Sequence, residues 1–595
     1  MRSRASVLAL VGPLLALQCG GESTTADAKR GPTGGTDHGA AARAGAGPDG
    51  ATAGAGCPAC GGNAGSAASG GDFGGAGAAG RGQGAAPASG GRAGAGMTGD
   101  AGEPMQGSGG STGGSAAGGQ AGRASAGTAG DMTAAGAAGA PEPPTDSLSI
   151  TKVAIYQAVE IPLMAGGSEL APNENAPVVD GREALLRIWV APNPTWTARP
   201  IAGDLTIKSE SGTRVARASL TLQAASTDAE LGSTLNFTVR ASEIGQATTL
   251  TLQIGEPSLG GGALARWPAT GERVLNAESS NGPFLVTLVP LTVNGYTPDT
   301  GETNRARFER YLSRLYPASA VDVSVRAPVK LAYGVYPDGT GWDEALEDLL
   351  ATRDADNVGA NVYYYGVVTP GATFGSYCQD DCVVGLSNVA GRTQEQYRGA
   401  VGTGYFVSAK DTFSQETLAH ELGHALGREH SPCGTDDAER AYPYRTGYIG
   451  VYGWDGTRLL DPSDYTDVMG YCVPVWISDY TYDHLFERIF YVNGLVAREA
   501  GAPAQRSVRV PHRTLRLGVD GRLHWGPSST SGVPVDGPTA NVELLDANGR
   551  VVTTLTVPFA PFDHLPGGFL SVPSDAVDDP NIARVRVGDR TLDVR

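Results

Sequence analysis

The chain has 595 residues, 62 acidic against 44 basic side chains, and a formal net charge of −18. That length exceeds one ordinary hydrophobic core and predicts several domains, and the acidic balance excludes a nucleic-acid binder, which needs a basic surface. Of the 87 glycines, 41 fall in the first 150 residues, which excludes a packed core there.

Arg2 and Arg4 precede an apolar run from Val7 to Leu17, too short for a mature membrane span and shaped like an export signal. Cys19 follows Leu15-Ala16-Leu17-Gln18, a pattern similar to bacterial lipoprotein signals. Gln18 stands where a small residue is expected, so export is predicted and lipidation at Cys19 stays open. Residues 1–19 are read as this signal and 20–146 as a disordered Gly/Ala-rich spacer. Cys57 and Cys60 form a C-x-x-C inside the spacer, with no fold around it to give redox chemistry. If Cys19 carries lipid, six cysteines remain, an even number that suits an oxidising compartment.

Residues 147–283 alternate with period two. Leu205 and Ile207 lead through Ser211-Gly212 to Val215 and Leu220, which predicts a hairpin, and Leu235, Phe237 and Val239 alternate with polar residues. A β-sandwich is expected. Residues 284–500 turn to an α+β pattern. A strand at Phe284–Val293 precedes a helix carrying Phe308, Tyr311, Leu312 and Leu315 and stopped by Pro317. Strand material follows over Val321–Tyr336. A second helix carries Trp342, Ala345, Leu346, Leu349 and Leu350, followed by a strand at Val362–Val368. A last helix is expected at about 480–493. His484 on it reads as helix packing, with a substrate or supporting role as the alternative. Residues 501–595 read as a small β-domain with hairpins at Asp520-Gly521 and Asn548-Gly549, and its His512, His524 and His564 read as ordinary surface or core histidines.

The chemistry concentrates in His420-Glu421-Leu422-Gly423-His424-Ala425-Leu426-Gly427-Arg428-Glu429-His430. Thr412 with Gln415 resembles a capping box opening a helix whose apolar face is Leu418, Leu422, Ala425 and Leu426. His420 and His424, four apart, project from one side of that helix and can bind one Zn²⁺. Glu421 beside them can take a proton from a zinc-acidified water and pass it to a leaving amine. Gly427 can turn the chain back so that His430 supplies a third ligand, which leaves the open position a catalytic zinc needs. With eight histidines in the chain, the full pattern arises by chance on the order of once in a hundred thousand such chains, so accident is set aside. Asp436, Asp437, Asp461 and Asp464 offer oxygens for calcium but lack the spacing of a known loop.

The extended histidine motif and Asp467-Val468-Met469-Gly470-Tyr471-Cys472 together resemble the metzincins, zinc endopeptidases with a methionine turn beneath the metal. Met469 is the only methionine after Met164. The resemblance implies that Met469 packs under the ligands and that Tyr471 stabilises the developing oxyanion. It also implies that Cys433 and Cys472 are neighbours able to form a disulfide clamping the site. Cys378 and Cys382 are expected to form a small local bridge. Within the metzincins, Cys433-Gly434 and the β-domain ahead of the motif resemble the secreted StcE-like, mucin-directed bacterial family. That likeness implies an extracellular protein or glycoprotein substrate, bound as an extended strand beside an edge strand near Gly385 to Ala390. Two other readings remain open: a surface glycoprotein-binding protein built on the same domain, and a metallohydrolase acting on another bond.

Overall fold

The computed structural model describes residues 148–256, 263–408, 410–501, 509–532 and 537–595. The predicted export signal, Cys19, Cys57, Cys60 and the spacer lie outside the described residues. Among the described residues no helix is long and apolar enough to cross a membrane.

The first β-region is a pair of antiparallel sheets. One is built on Leu148–Gln157, Val159–Ala165, Ala184–Pro192 and Leu235–Val239, the other on Arg199–Ser209, Gly212–Leu222 and Thr249–Gly255. Alternation drives it: Ile201, Gly203, Leu205 and Ile207 point inward with Leu250, Leu252 and Ile254, while the residues between them face outward. The expected hairpin forms with Ser209 paired to Gly212. A feature absent from the sequence reading is that Gly453–Trp454 and Leu459–Leu460, far along the chain, extend the first sheet beyond Val159–Ala165.

The middle region carries a sheet in the order Val321–Val325, Phe284–Thr292, Val362–Val368, Gly399–Thr403, Gly385–Ser387. Its strands run parallel except Gly385–Ser387, which lies antiparallel at the edge. Both faces are covered, which is why Val362–Val368 is apolar without alternation. Tyr363, Tyr365 and Val367 pack with Phe308, Leu312, Leu418 and Leu422, whereas Tyr364 and Val368 pack with Trp342, Leu346 and Leu349. The helix Glu302–Leu315 ends two residues before Pro317, with Tyr316 already extended as a residue preceding proline prefers. The last helix, Asp479–Gly501, runs past the expected end at 493. Gly494 does not stop it; the position lies close against the Asn281 side chain.

The C-terminal region is a seven-stranded sheet with its own core of Leu515, Val542, Leu544, Leu570 and Val572. The expected turns form, with Gly521 and Gly549 both at positive φ. This sheet docks on the middle region. Phe562, Leu565 and Phe569 join the core around Trp342, and buried Arg516 pairs with Asp343 and with Glu347 at 3.0 Å.

Candidate metal centre

The helix Phe413–Ala425 presents the motif, and every residue from Thr417 to Ala425 is buried. Its start differs from the expected capping box. The Thr412 side chain caps no backbone N–H and instead donates to Glu416 at 2.6 Å, while Asp411 accepts from the Phe413 N–H at 3.1 Å. Leu426 closes the helix, and Gly427 follows at φ +83°, where a Cβ would sit 3.0 Å from the Ala390 carbonyl. The turn brings His430 back over His420 and His424. Ring centroids lie 5.5 Å apart for His420–His430 and 4.6 Å for His424–His430, and the two Nε2 atoms of His420 and His424 are 3.0 Å apart.

The other ring nitrogens are anchored. His420 Nδ1 sits 2.7 Å from the Val468 carbonyl and His424 Nδ1 2.6 Å from the Arg428 carbonyl. A ring donating through Nδ1 keeps the Nε2 lone pair for a cation. Burial, with the neighbouring imidazoles, holds His420 down at about 3 and His430 at about 2, and pushes His424 well below its ordinary value. All three rings are therefore neutral donors at physiological pH.

Met469 lies under this group. A Cβ at Gly423 would collide with the Met469 sulfur, so the glycine in the motif is what lets the methionine approach. The turn is pinned by buried Asp467, whose carboxylate accepts from the backbone N–H of Met469 at 2.9 Å and of Ser478 at 2.8 Å. Cys433 is bonded to Cys472 and Cys378 to Cys382. The first bridge ties the loop after His430 to Tyr471, whose N–H also donates to the Cys433 carbonyl at 2.9 Å. The Tyr471 hydroxyl lies 2.8 Å from His430 Nε2.

His564 is a correction. It is no ordinary surface or core residue: the turn between Val551–Pro561 and Gly568–Pro573 carries it into the motif. His420, His424, His430 and His564 bring one ligand atom each within 4.8 Å of one another. His564 Nε2 lies 3.1 Å from Glu421 Oε1, and its Nδ1 bonds the Tyr471 hydroxyl. Its neighbour Asp563 has a fully buried side chain, 3.5 Å from His424 Nε2. Burial lifts Glu421 to about 8 and Asp563 well above the carboxylate range, and Glu421 raises Asp563 further while the bond from Asp563 pulls Glu421 down. Glu421 Oε2 is buried without a hydrogen-bond partner, and Asp563 Oδ2 faces His564 Nε2 at 3.3 Å and His424 Nε2 at 3.5 Å. Buried carboxylates beside converging neutral imidazoles fit a bound cation, which satisfies both.

His564 lies 134 positions beyond His430, in a turn with no ligand spacing, so no local pattern announces it. The remaining candidates fall elsewhere. His484 packs tilted against the Tyr480 ring and bonds the Tyr480 carbonyl, as helix packing requires. His512 is buried in the C-terminal sheet and His524 sits beside Asp520. Asp461 is taken up by Ser463 and Tyr452, while Asp436 and Asp437 line the cleft.

A cleft of about 850 Å³ opens on the histidines, bounded by Val383, Val384 and Gly385 on one side and Gly434 to Asp437 with Tyr471 on the other. Imidazoles converging around a buried carboxylate, at the floor of a cleft and beside a sheet edge, are a group compatible with a bound metal ion. A family model described as Peptidase M66 matches residues 381–460, which supports a metallopeptidase. The match takes in the edge strand, the motif helix and His430 and ends before Met469. No curated protein matches the chain.

Proposed function

We propose that the chain is a secreted or surface-tethered zinc endopeptidase of the metzincin type, with His420, His424 and His430 as metal ligands and Glu421 as general base. The observation that carries this is the convergence of three neutral imidazoles beside the buried Glu421 carboxylate, which lines the cleft. Imidazole donors suit zinc, which when bound supplies Lewis acidity and an acidified water. Glu421 takes the proton of the attacking water and hands it to the leaving amine nitrogen. Tyr471 donates its hydroxyl proton in a hydrogen bond to the developing oxyanion. Met469 and Asp467 set the height of the floor, and the edge at Gly385 aligns an extended substrate by main-chain hydrogen bonds. The substrate class is extracellular protein, with mucin-type glycoprotein as the StcE-like reading. The acidic chain, the N-terminal signal pattern and an anchor at Cys19 would place the enzyme outside the cell.

The test uses the full chain and its Glu421→Ala variant, both zinc-loaded, on a mixture of unglycosylated and mucin-type proteins. New peptide termini are counted by mass spectrometry. Termini that require Glu421 support the reading, and the flanking residues give the specificity. Stoichiometric zinc with no new termini, in wild type and in the unblocked variant described below, would refute it in favour of a glycoprotein-binding protein.

A further inference from the structure

The C-terminal sheet does more than dock near the cleft. Pro561 to Asp563 runs antiparallel along the exposed side of the edge strand, with Phe562 paired to Asn388. The Val389 N–H donates to the Pro561 carbonyl at 3.1 Å, the Asp563 N–H to the Ser387 carbonyl at 3.3 Å, and the Ser387 N–H to Asp563 Oδ1 at 3.1 Å. These are the main-chain groups an extended peptide would use on that edge. The segment then delivers His564 between Glu421 and Tyr471, the base and the hydroxyl that would flank a scissile amide.

We propose that this segment is a built-in blocker: Pro561 to Asp563 takes the place of substrate on the edge strand, and His564 is a fourth metal ligand in the resting protein. The inference rests on the metallopeptidase reading of the same site. Three protein ligands leave a catalytic metal one open position, and a fourth imidazole fills it, as in a closed structural site. The His564 ring stacks on His420 at 5.2 Å and lies 5.1 Å from His430, on the cleft side of both. The blocker is held from outside the site. Arg516 is clamped by Asp343 and Glu347, Phe569 stacks on Tyr397 at 5.7 Å, and Ser571 bonds the Tyr397 hydroxyl at 2.8 Å. Hydrolysis requires the segment to withdraw from the edge, so the C-terminal domain sets how much of the protein is open.

The test loads the full chain and its His564→Ala variant with Co²⁺ and follows the visible spectrum during titration with acetohydroxamate, a bidentate metal ligand. The wild-type spectrum is expected to resist concentrations that saturate the variant. The variant is expected to lose Co²⁺ to a chelator ~10-fold faster or more, since even outer partners of a ligand are worth that much. It should also cleave an unglycosylated protein faster than wild type. His564→Phe keeps the ring's volume should alanine fold poorly, and it too should lose the metal faster. Equal hydroxamate affinity and equal metal retention in wild type and variants overturn the proposal while leaving the peptidase reading standing. Failure of wild type and variants alike to bind Co²⁺ removes both. Termini from His564→Ala but none from wild type support both.

Discussion

Gly385 offers a direct probe of the base. It sits on the edge strand opposite Glu421, and a Cβ there would meet the Glu421 Cδ at 2.6 Å and Cγ at 2.7 Å, with Oε1 closer still. Ordinary contact begins at 3.4 Å, so the Gly385→Ala variant forces the carboxylate back by at least about 0.8 Å, the difference between 3.4 and 2.6 Å at Cδ. The backbone at Gly385 is ordinary extended strand, so alanine adds no conformational strain there. Overpacking in a buried site should cost roughly 1–3 kcal/mol of stability. A displacement of about 1 Å at a proton-transferring group costs on the order of 100-fold in rate. The expected result is a kcat lowered about 100-fold with KM within a few-fold of wild type. Peptide hydrolysis and urea unfolding are measured together, with Gly375→Ala, whose Cβ meets nothing within 4 Å, as the control. A folded Gly385→Ala protein with wild-type kcat would refute the placement of Glu421 as base at this edge.

Removing the Cys433–Cys472 bridge, which spans 39 positions, should destabilise by up to about 4 kcal/mol from loop entropy, read as a lower urea midpoint of the double serine variant; an unchanged midpoint refutes it. The metal-free protein should lose stability as pH rises from 6.5 to 8. The folded values of His420, His424 and His430 lie below the ordinary 6.5, so the folded state binds fewer protons than the unfolded chain and stability falls as pH drops below 6.5. Glu421, at about 8 against an ordinary 4.5, and Asp563 act the other way, so stability from these groups rises as pH falls from above 8. Glu344, raised to about 7 by burial, acts in the same direction as these two carboxyls. Urea unfolding of chelator-treated protein at pH 6.5 and 8 checks this, and a stability still rising between 6.5 and 8 contradicts it.

Much of this was legible in the sequence because it is local. Leu205 and Ile207 announce a strand by period two, Pro317 ends a helix by its own geometry, and the spacing of His420, His424 and His430 encodes one helical turn and one glycine reversal. The cysteine pairing at the site was reachable only through the resemblance, since nothing within 39 positions of chain says that its ends meet. What stayed hidden is what depends on docking. Asp563 and His564 matter because Arg516, Phe562 and Leu565 press one sheet onto another, and such contacts leave no periodic trace. The cap at Thr412 misled for the opposite reason: the pattern was present, but the Glu416 carboxylate competed for the hydroxyl.

The strands Gly453–Trp454 and Leu459–Leu460 carry a consequence for how this molecule can be divided. They lie between His430 and Met469 in sequence yet complete the first sheet, and Trp476 adds an indole N–H to the Ala158 carbonyl at 2.9 Å. One continuous core runs from Leu148 through Leu418 and Met469 to Val492. The peptidase region is therefore not a portable cassette. A fragment starting at Phe284 would expose the inner side of its own methionine turn and leave a raw sheet edge, so the first β-region is part of the scaffold that holds the metal site and would travel with it in any rearrangement of the gene.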